Sequence, residues 1–186
     1  MKVTGICFSE AGRALVHRIA DGLSKMQYQG QRIESTWVCQ GKCETKDHMV
    51  PELKTSIVEW TAENFNTNDA LIFIGAAGIA VRAIASFVRD KRHDPAVVVL
   101  DEEGSFVIPI LAGHVGGANE FASDLAAQLS GTPVITTSRN AQNKFDVAQY
   151  AAKNNLVISN MTYAKEVSAA LMTGEPVGFY THVAVP

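Results

Sequence analysis

The 186-residue sequence is poor in cysteine, with Cys7, Cys39 and Cys43 only. An odd, widely spaced set of this kind excludes a secreted disulfide scaffold and fits a reducing compartment. Cys39 and Cys43 are close enough to pair or to share a metal, but no second pair of ligands lies near them in the sequence. Long apolar runs are absent too: nothing approaches the roughly 18 to 20 residues that cross a bilayer. The opening MKVTGICFSEAGRALV is interrupted by Ser9, Glu10 and Arg13 before a signal-peptide core is complete. Nor is there a basic excess. Sixteen Lys and Arg against nineteen Asp and Glu give a formal charge of −3. No window concentrates cations enough for a nucleic-acid or membrane footprint. A soluble, cytoplasmic protein with no nucleic-acid or membrane partner is expected, and any anionic ligand must be met by a local pocket.

Several familiar motifs are missing as well. The chain has no dinucleotide G-x-G-x-x-G, no P-loop and no G-x-S-x-G elbow. It has five histidines, but no His-x-x-x-His pair or carboxylate spacing that marks a metal site. No protein-held metal is expected.

What is present is an alternation of short apolar runs and helical periodicities. Val3 to Phe8 reads as a strand, and Leu15, Ile19 and Leu23 then recur every four residues as in a helix. Residues 33–39 alternate as a second strand, and residues 50–65 carry a helical pattern after Pro51, a good first-turn residue. Residues 71–74 and 96–100 are wholly apolar, as strands buried on both faces are, with a helix over residues 79–88 between them. The pattern predicts an α/β fold: a mainly parallel, doubly wound sheet with flanking helices. One β-hairpin is expected at about residues 96–111, because the Asp101-Glu102-Glu103-Gly104 turn is too short to hold a helix. Pro109 in its return strand suits an edge or a bulge.

Further along, residues 118–131 predict a helix ended by Gly131, and residues 132–137 a strand. A helix over 144–154, a strand over 156–159 and a last helix over 163–174 follow, before a strand-like tail. These divide the chain into an α/β domain over residues 1–137 and the start of a second, smaller region over 138–186. The tail reads as cut rather than finished.

Four segments have residues suited to chemistry. Ser9 and Glu10 occupy the first strand-to-helix turn, where open α/β sheets line their binding crevice; the plain alternative is a helix cap with a dipole-favoured acid. Gly75 and Gly78 begin a helix whose unpaired N–H groups suit a carboxylate or phosphate. Arg82, one turn on, supplies a bidentate carboxylate clamp or is simply a surface cation. The third segment is Gly113-His114-Val115-Gly116-Gly117-Ala118-Asn119. Gly113, Gly116 and Gly117 give the backbone conformational freedom and close approach around one imidazole able to transfer protons. Asn119 is placed to cap the next helix or to donate to a polarised oxygen. Thr137 and Lys144 frame a fourth, hydroxyl- and cation-bearing loop that either binds carboxylates or is only polar.

LIFIGAAGIAVRAI, VVVLDEEGSFVIPIL, LAGHVGGANEFASDLA and TPVITT, in this order, resemble the CbiG family of cobalamin-biosynthesis proteins over about residues 65–150. The family's T-D-x-x-G-K-F stretch is altered here to SRNAQNKF over residues 138–145, losing an acid and a glycine. The resemblance implies a cobalt-precorrin-5A hydrolase of the anaerobic vitamin B12 pathway. Such an enzyme opens the ring A δ-lactone, releases acetaldehyde and gives cobalt-precorrin-5B. It implies no added cofactor, since the cobalt arrives with the corrinoid substrate, and a partner C-terminal domain that usually follows. The alternative is a non-catalytic corrinoid-binding or scaffolding module serving that domain. His114 and Asn119 are the expected catalytic pair. The hairpin raises a geometric question, because it delivers residues 113–119 to the opposite end of the sheet from Ser9 and Gly75. Either the hairpin bends away at Pro109 or the chain has two functional edges.

Overall fold

A computed structural model describes residues 1–28, 30–41, 47–90, 92–113, 116–136, 147, 150–151, 154, 156–180 and 182. The chain forms two compact units, Met1–Ile135 and Thr136–Pro186. In the first, a six-stranded sheet is built from β1 (Lys2–Cys7), β4 (Glu34–Cys39), β5 (Ala70–Ile74), β6 (Ala96–Leu100), β7 (Phe106–Leu111) and β8 (Thr132–Pro133). Two short strands, β2 (Gln27–Tyr28) and β3 (Gln31–Arg32), pair as a separate antiparallel hairpin. The order across the main sheet is β4-β1-β5-β6-β7-β8. The first four run parallel, β7 returns antiparallel to β6, and β8 lies parallel to β7. This is the expected doubly wound α/β sheet with one hairpin.

Its wholly apolar strands are sandwiched between two helical layers. One face packs Val3, Cys7, Ile72, Ile74, Val98 and Leu100 against α1 (Glu10–Lys25) and α4 (Ala118–Leu129), through Leu15, Ile19, Leu23, Phe121 and Leu125. The other packs Ile6, Leu71, Phe73, Val97 and Val99 against α2 (Ile57–Asn64) and α3 (Ala77–Ile84). Each fully buried aliphatic side chain contributes about 1.5 to 3 kcal/mol relative to exposure. Gly5 belongs to this packing: the Trp37 ring lies where a side chain on Gly5 would stand.

The hairpin contains its own irregularity. Val97 opposes Leu111 but Val98 opposes Pro109, so Ile110 is the extra residue of a bulge next to the proline. Pro109 is thereby accommodated inside the sheet without costing a regular ladder bond.

Three boundaries differ from the sequence expectation. Helix α2 starts at Ile57, not near Pro51, with Ser56 and Glu59 forming a capping box. Residues 51–53 instead run along the end of β4, where Pro51 O accepts from Cys39 N and Leu53 N donates to Cys39 O. Helix α4 ends at Ser130, which takes the left-handed conformation at φ 58° in place of Gly131. Gly131 has another reason to be glycine, since a Cβ there would overlap the carbonyl oxygen of Gly104. The predicted strand over 132–137 shrinks to Thr132–Pro133, continued by one bond from Val134 N to Val107 O.

In the second unit, α5 (Met161–Thr173) is capped by Asn160, whose side chain accepts from the amides of Thr162 and Tyr163. Gly174 closes it at φ 82°. The predicted strand over 156–159 does not form: Leu156 and Val157 are exposed and pair with no strand. Residues 175–180 are likewise not a strand. Most of the predicted 144–154 helix lies outside the described residues, although Val147, Tyr150 and Ala151 are helical.

Candidate functional site

Those of the sequence-selected residues that the structure describes fall into two groups at opposite ends of the parallel sheet. At the carboxyl end, the chain leaves β1 and β5 on either side of the point where the strand order reverses. A doubly wound sheet opens its ligand crevice there. Ser9 is the N-cap of α1, extended at φ −149°, and its Oγ accepts from the Gly12 amide at 3.1 Å. The same hydroxyl donates to Glu102 Oε1 at 2.6 Å. Because β5 lies between β1 and β6, this bond crosses the end of β5. Gly75, at the end of β5, has φ 151° and donates to Leu100 O at 2.8 Å. A Cβ on it would stand 2.9 Å from the Phe8 ring. The start of α3 behind it has Ala76 as cap and no side-chain capping bond, which leaves first-turn amides, including that of Gly78, for water or a ligand. Arg82 is exposed and turns back onto its own helix, with Nη1 3.4 Å from Gly78 O.

A second cluster sits on the outer side of α1. Asp47 accepts from the Met49 and Val50 amides at 2.9 and 3.3 Å and meets His17 Nε2 at 2.7 Å. The buried Arg13 lies 3.9 Å from Asp47 Oδ2 and 3.8 Å from Glu10 Oε2. Partial desolvation pushes the Asp47 carboxyl upward, but the His17 bond, the two amides and the His17 charge outweigh it and hold the group below its ordinary value. Glu10 thus has a structural partner in Arg13.

At the amino end of the parallel strands lies the glycine-rich turn. It follows Leu111, which stands opposite Val97 near the start of β6. Ala112 has a left-handed φ of 55°, and its carbonyl accepts from Ala118 N at 3.2 Å while Gly113 O accepts from Asn119 N at 3.0 Å. Gly117, at φ 76°, is the N-cap of α4 and offers no side-chain capping bond. Asn119 is therefore not the cap. It is buried inside the first turn of α4, and its Oδ1 lies 2.9 Å from where a Gly113 Cβ would stand. That position puts the Asn119 side chain against the backbone of Gly113. Gly116 is closed against Ala112, whose Cβ occupies the space of any side chain at 116.

Tyr28, not singled out from the sequence, meets this turn from β2. Its hydroxyl occupies the space a side chain at 117 would need, and its ring meets Phe121 of α4 edge-on at 6.4 Å. Burial, then the Glu120 and Asp124 carboxylates, push the Tyr28 phenol up to about 12. It is a neutral donor at any physiological pH. His114, Thr137 and Lys144 lie outside the described residues. The hairpin thus keeps Gly113 and residues 116–119 apart from Ser9 and Gly75, as its antiparallel return requires. Among the described residues no group of three His, Cys, Asp or Glu is arranged to hold a metal ion, and no helix is long and apolar enough to cross a membrane.

Residues 1–135 thus form an α/β unit of the doubly wound class, with the switch point at one end of its sheet and glycine-rich backbone at the other. The chain belongs to the CbiG family: residues 59–140 match the family described as Cobalamin synthesis G N-terminal, and residues 147–186 the Cobalamin biosynthesis central region. It is 45% identical over 117 residues to the Cobalt-precorrin-5A hydrolase of Salmonella typhimurium, covering 62% of this chain and 33% of that protein. The Cobalt-precorrin-5A hydrolase of Priestia megaterium is 39% identical over 113 residues, covering 61% of this chain and 30% of that protein. The chain therefore spans about a third of the length of these curated relatives. Its fold resembles the crystal structure of a cobalamin biosynthesis protein G homolog from Sulfolobus solfataricus, with a TM-score of 0.54 and 24% identity. That likeness covers all of this chain and 51% of the other.

Proposed function

We propose that this chain acts, in the cytoplasm, in the hydrolysis of the ring A lactone of cobalt-precorrin-5A, giving cobalt-precorrin-5B and acetaldehyde. The observation that carries the reading is the 45% identity over 117 residues to a protein named for that reaction. The chemistry needs a water delivered to the lactone carbonyl, donors for the oxygen that gains charge, and proton transfers. Addition of water opens the lactone to a carboxylate and an alcohol. Loss of the alcohol proton then expels acetaldehyde, and the ring carbon left with the electron pair takes up a proton.

His114 is the proton-transfer group in this proposal, with the amides of Gly113, Gly116 and Gly117 and the side chain of Asn119 as donors to the oxygen that gains charge. Ser9, Glu10, Gly75, Gly78, Arg82, Thr137 and Lys144 serve the peripheral carboxylates of the macrocycle or the docking of a C-terminal domain. The cobalt enters with the substrate.

The test is anaerobic incubation of the chain with cobalt-precorrin-5A, following acetaldehyde release and the corrinoid absorption spectrum for the unsubstituted protein and His114→Ala. Release that disappears in the variant is the expected result. Neither release nor a spectral shift from the unsubstituted protein rejects the reading.

A further inference from the structure

The turn that joins β6 to β7 stands at the carboxyl end of the parallel strands, and its backbone is fixed. Asp101 Oδ1 accepts from the Phe106 amide at 2.6 Å, and the Asp101 carbonyl accepts from the Gly104 amide at 3.0 Å. Gly104, at φ 75°, is buried so closely that a Cβ on it would stand 3.0 Å from Leu15 of α1 and 3.2 Å from Leu129 of α4. Glu102, between these two anchors, is exposed. Its side chain is free to turn on a base that is not.

Among the described residues the side-chain partner of Glu102 is the Ser9 hydroxyl, at 2.6 Å. That hydroxyl has one proton, which it gives to Glu102, and it accepts from the Gly12 amide. It has no proton to offer a ligand while the bond stands. The bond also crosses the end of β5, where Gly75 leaves the strand, so a carboxylate already stands at the switch-point crevice. A ligand carboxylate is the same kind of acceptor with the same charge, and the two cannot share the Ser9 proton. Single and exposed, the bond is weak enough to be exchanged.

We propose that Glu102 is a gate on the switch-point crevice: its carboxylate holds the Ser9 hydroxyl in place of a ligand carboxylate and swings out on its fixed turn when such a group enters. This rests on the hydrolase reading, in which Ser9 and its neighbours serve the peripheral carboxylates of the corrinoid. It adds a residue that opposes entry. A polycarboxylate macrocycle, with further contacts to offset that opposition, opens the crevice, and a lone small anion does not.

The test is anaerobic titration with cobalt-precorrin-5A, read as KM where acetaldehyde is released and as the absorption-monitored dissociation constant where the chain only binds. Glu102→Gln leaves an acceptor for Ser9 and removes the charge, whereas Glu102→Ala removes both. The constant is expected to fall by about fivefold in Glu102→Gln, the scale of one like-charge pair about 4 Å apart in water, and further in Glu102→Ala. A bond that served only to hold the two turns together would give the opposite sign, since its loss would loosen the crevice and weaken binding. Unchanged or weaker binding in either variant overturns the gate and leaves the hydrolase reading standing. No release and no spectral shift from the unsubstituted protein overturns both.

Discussion

Ser9 Oγ donates to Glu102 Oε1 at 2.6 Å across the end of β5, joining two turns that are 93 positions apart. One hydroxyl therefore performs two tasks, since it also accepts from the Gly12 amide to start α1. The bond places a carboxylate beside the switch-point crevice, which bears on what that crevice admits. An anionic group entering there meets Glu102 as well as the uncapped amides of α3.

Ser9→Ala removes the cap and leaves Glu102 without its donor. A stability loss of about 1 kcal/mol is expected from the cap alone, read as a lower urea midpoint at unchanged slope. Glu102→Gln keeps the cap intact and is expected to cost less than Ser9→Ala. Equal losses from the two variants would place the stabilisation in the bond across β5 rather than in the cap.

Gly5→Ala tests the close approach of Trp37 to β1. The added methyl overlaps the indole ring, which is itself buried, so the strand or the ring must shift. Overpacking of this kind costs about 1 to 3 kcal/mol. Chemical denaturation followed by tryptophan emission checks both the loss and the displacement of the ring.

Acid should loosen the Asp47 turn before it unfolds the sheet. The Asp47 carboxyl is held below its ordinary value in the folded chain, so its contribution is present above the unfolded value, about 4, and is lost as pH falls below that. Asp47→Asn has no charge to lose. The stability advantage of the unsubstituted protein over the variant should therefore shrink as pH drops from about 5 towards 2, in denaturation curves taken at each pH.

What the sequence made legible follows from how local each signal is. The apolar runs at 71–74 and 96–100 announce buried parallel strands, and the four-residue DEEG turn leaves no room for a crossover helix, so the hairpin could be read directly. The start of α2 could not, because Pro51 suits a first helical turn locally while residues 51–53 are drawn into bonds with Cys39 on another strand. Leu156 and Val157 look like a strand by composition, yet both are exposed and no strand among the described residues pairs with them. At the sites, the glycine turns were visible from their spacing. Their partners were not: His17 meets Asp47 across 30 positions, Ser9 meets Glu102 across 93, and Tyr28 has no local motif to mark it. Such contacts are set by the crossing of elements and not by periodicity within one.

The fit between Tyr28 and Gly117 separates two reasons for that glycine. One is conformational: φ is 76°, where a residue with a Cβ is strained by about 1 kcal/mol. The other is steric, since the phenolic oxygen stands where the Cβ would be, whereas the next ring atom, Cζ, is 3.4 Å away and at ordinary contact distance. Gly117→Ala is thus expected to lose both terms in the presence of Tyr28 and only the conformational one in the presence of Tyr28→Phe. A double-mutant cycle by urea denaturation should show the alanine tolerated better in the phenylalanine background, by roughly 0.5 to 3 kcal/mol, the range for residues in direct contact. A coupling near zero would mean that the ring swings away freely. Tyr28 would then not be fixed beside the turn.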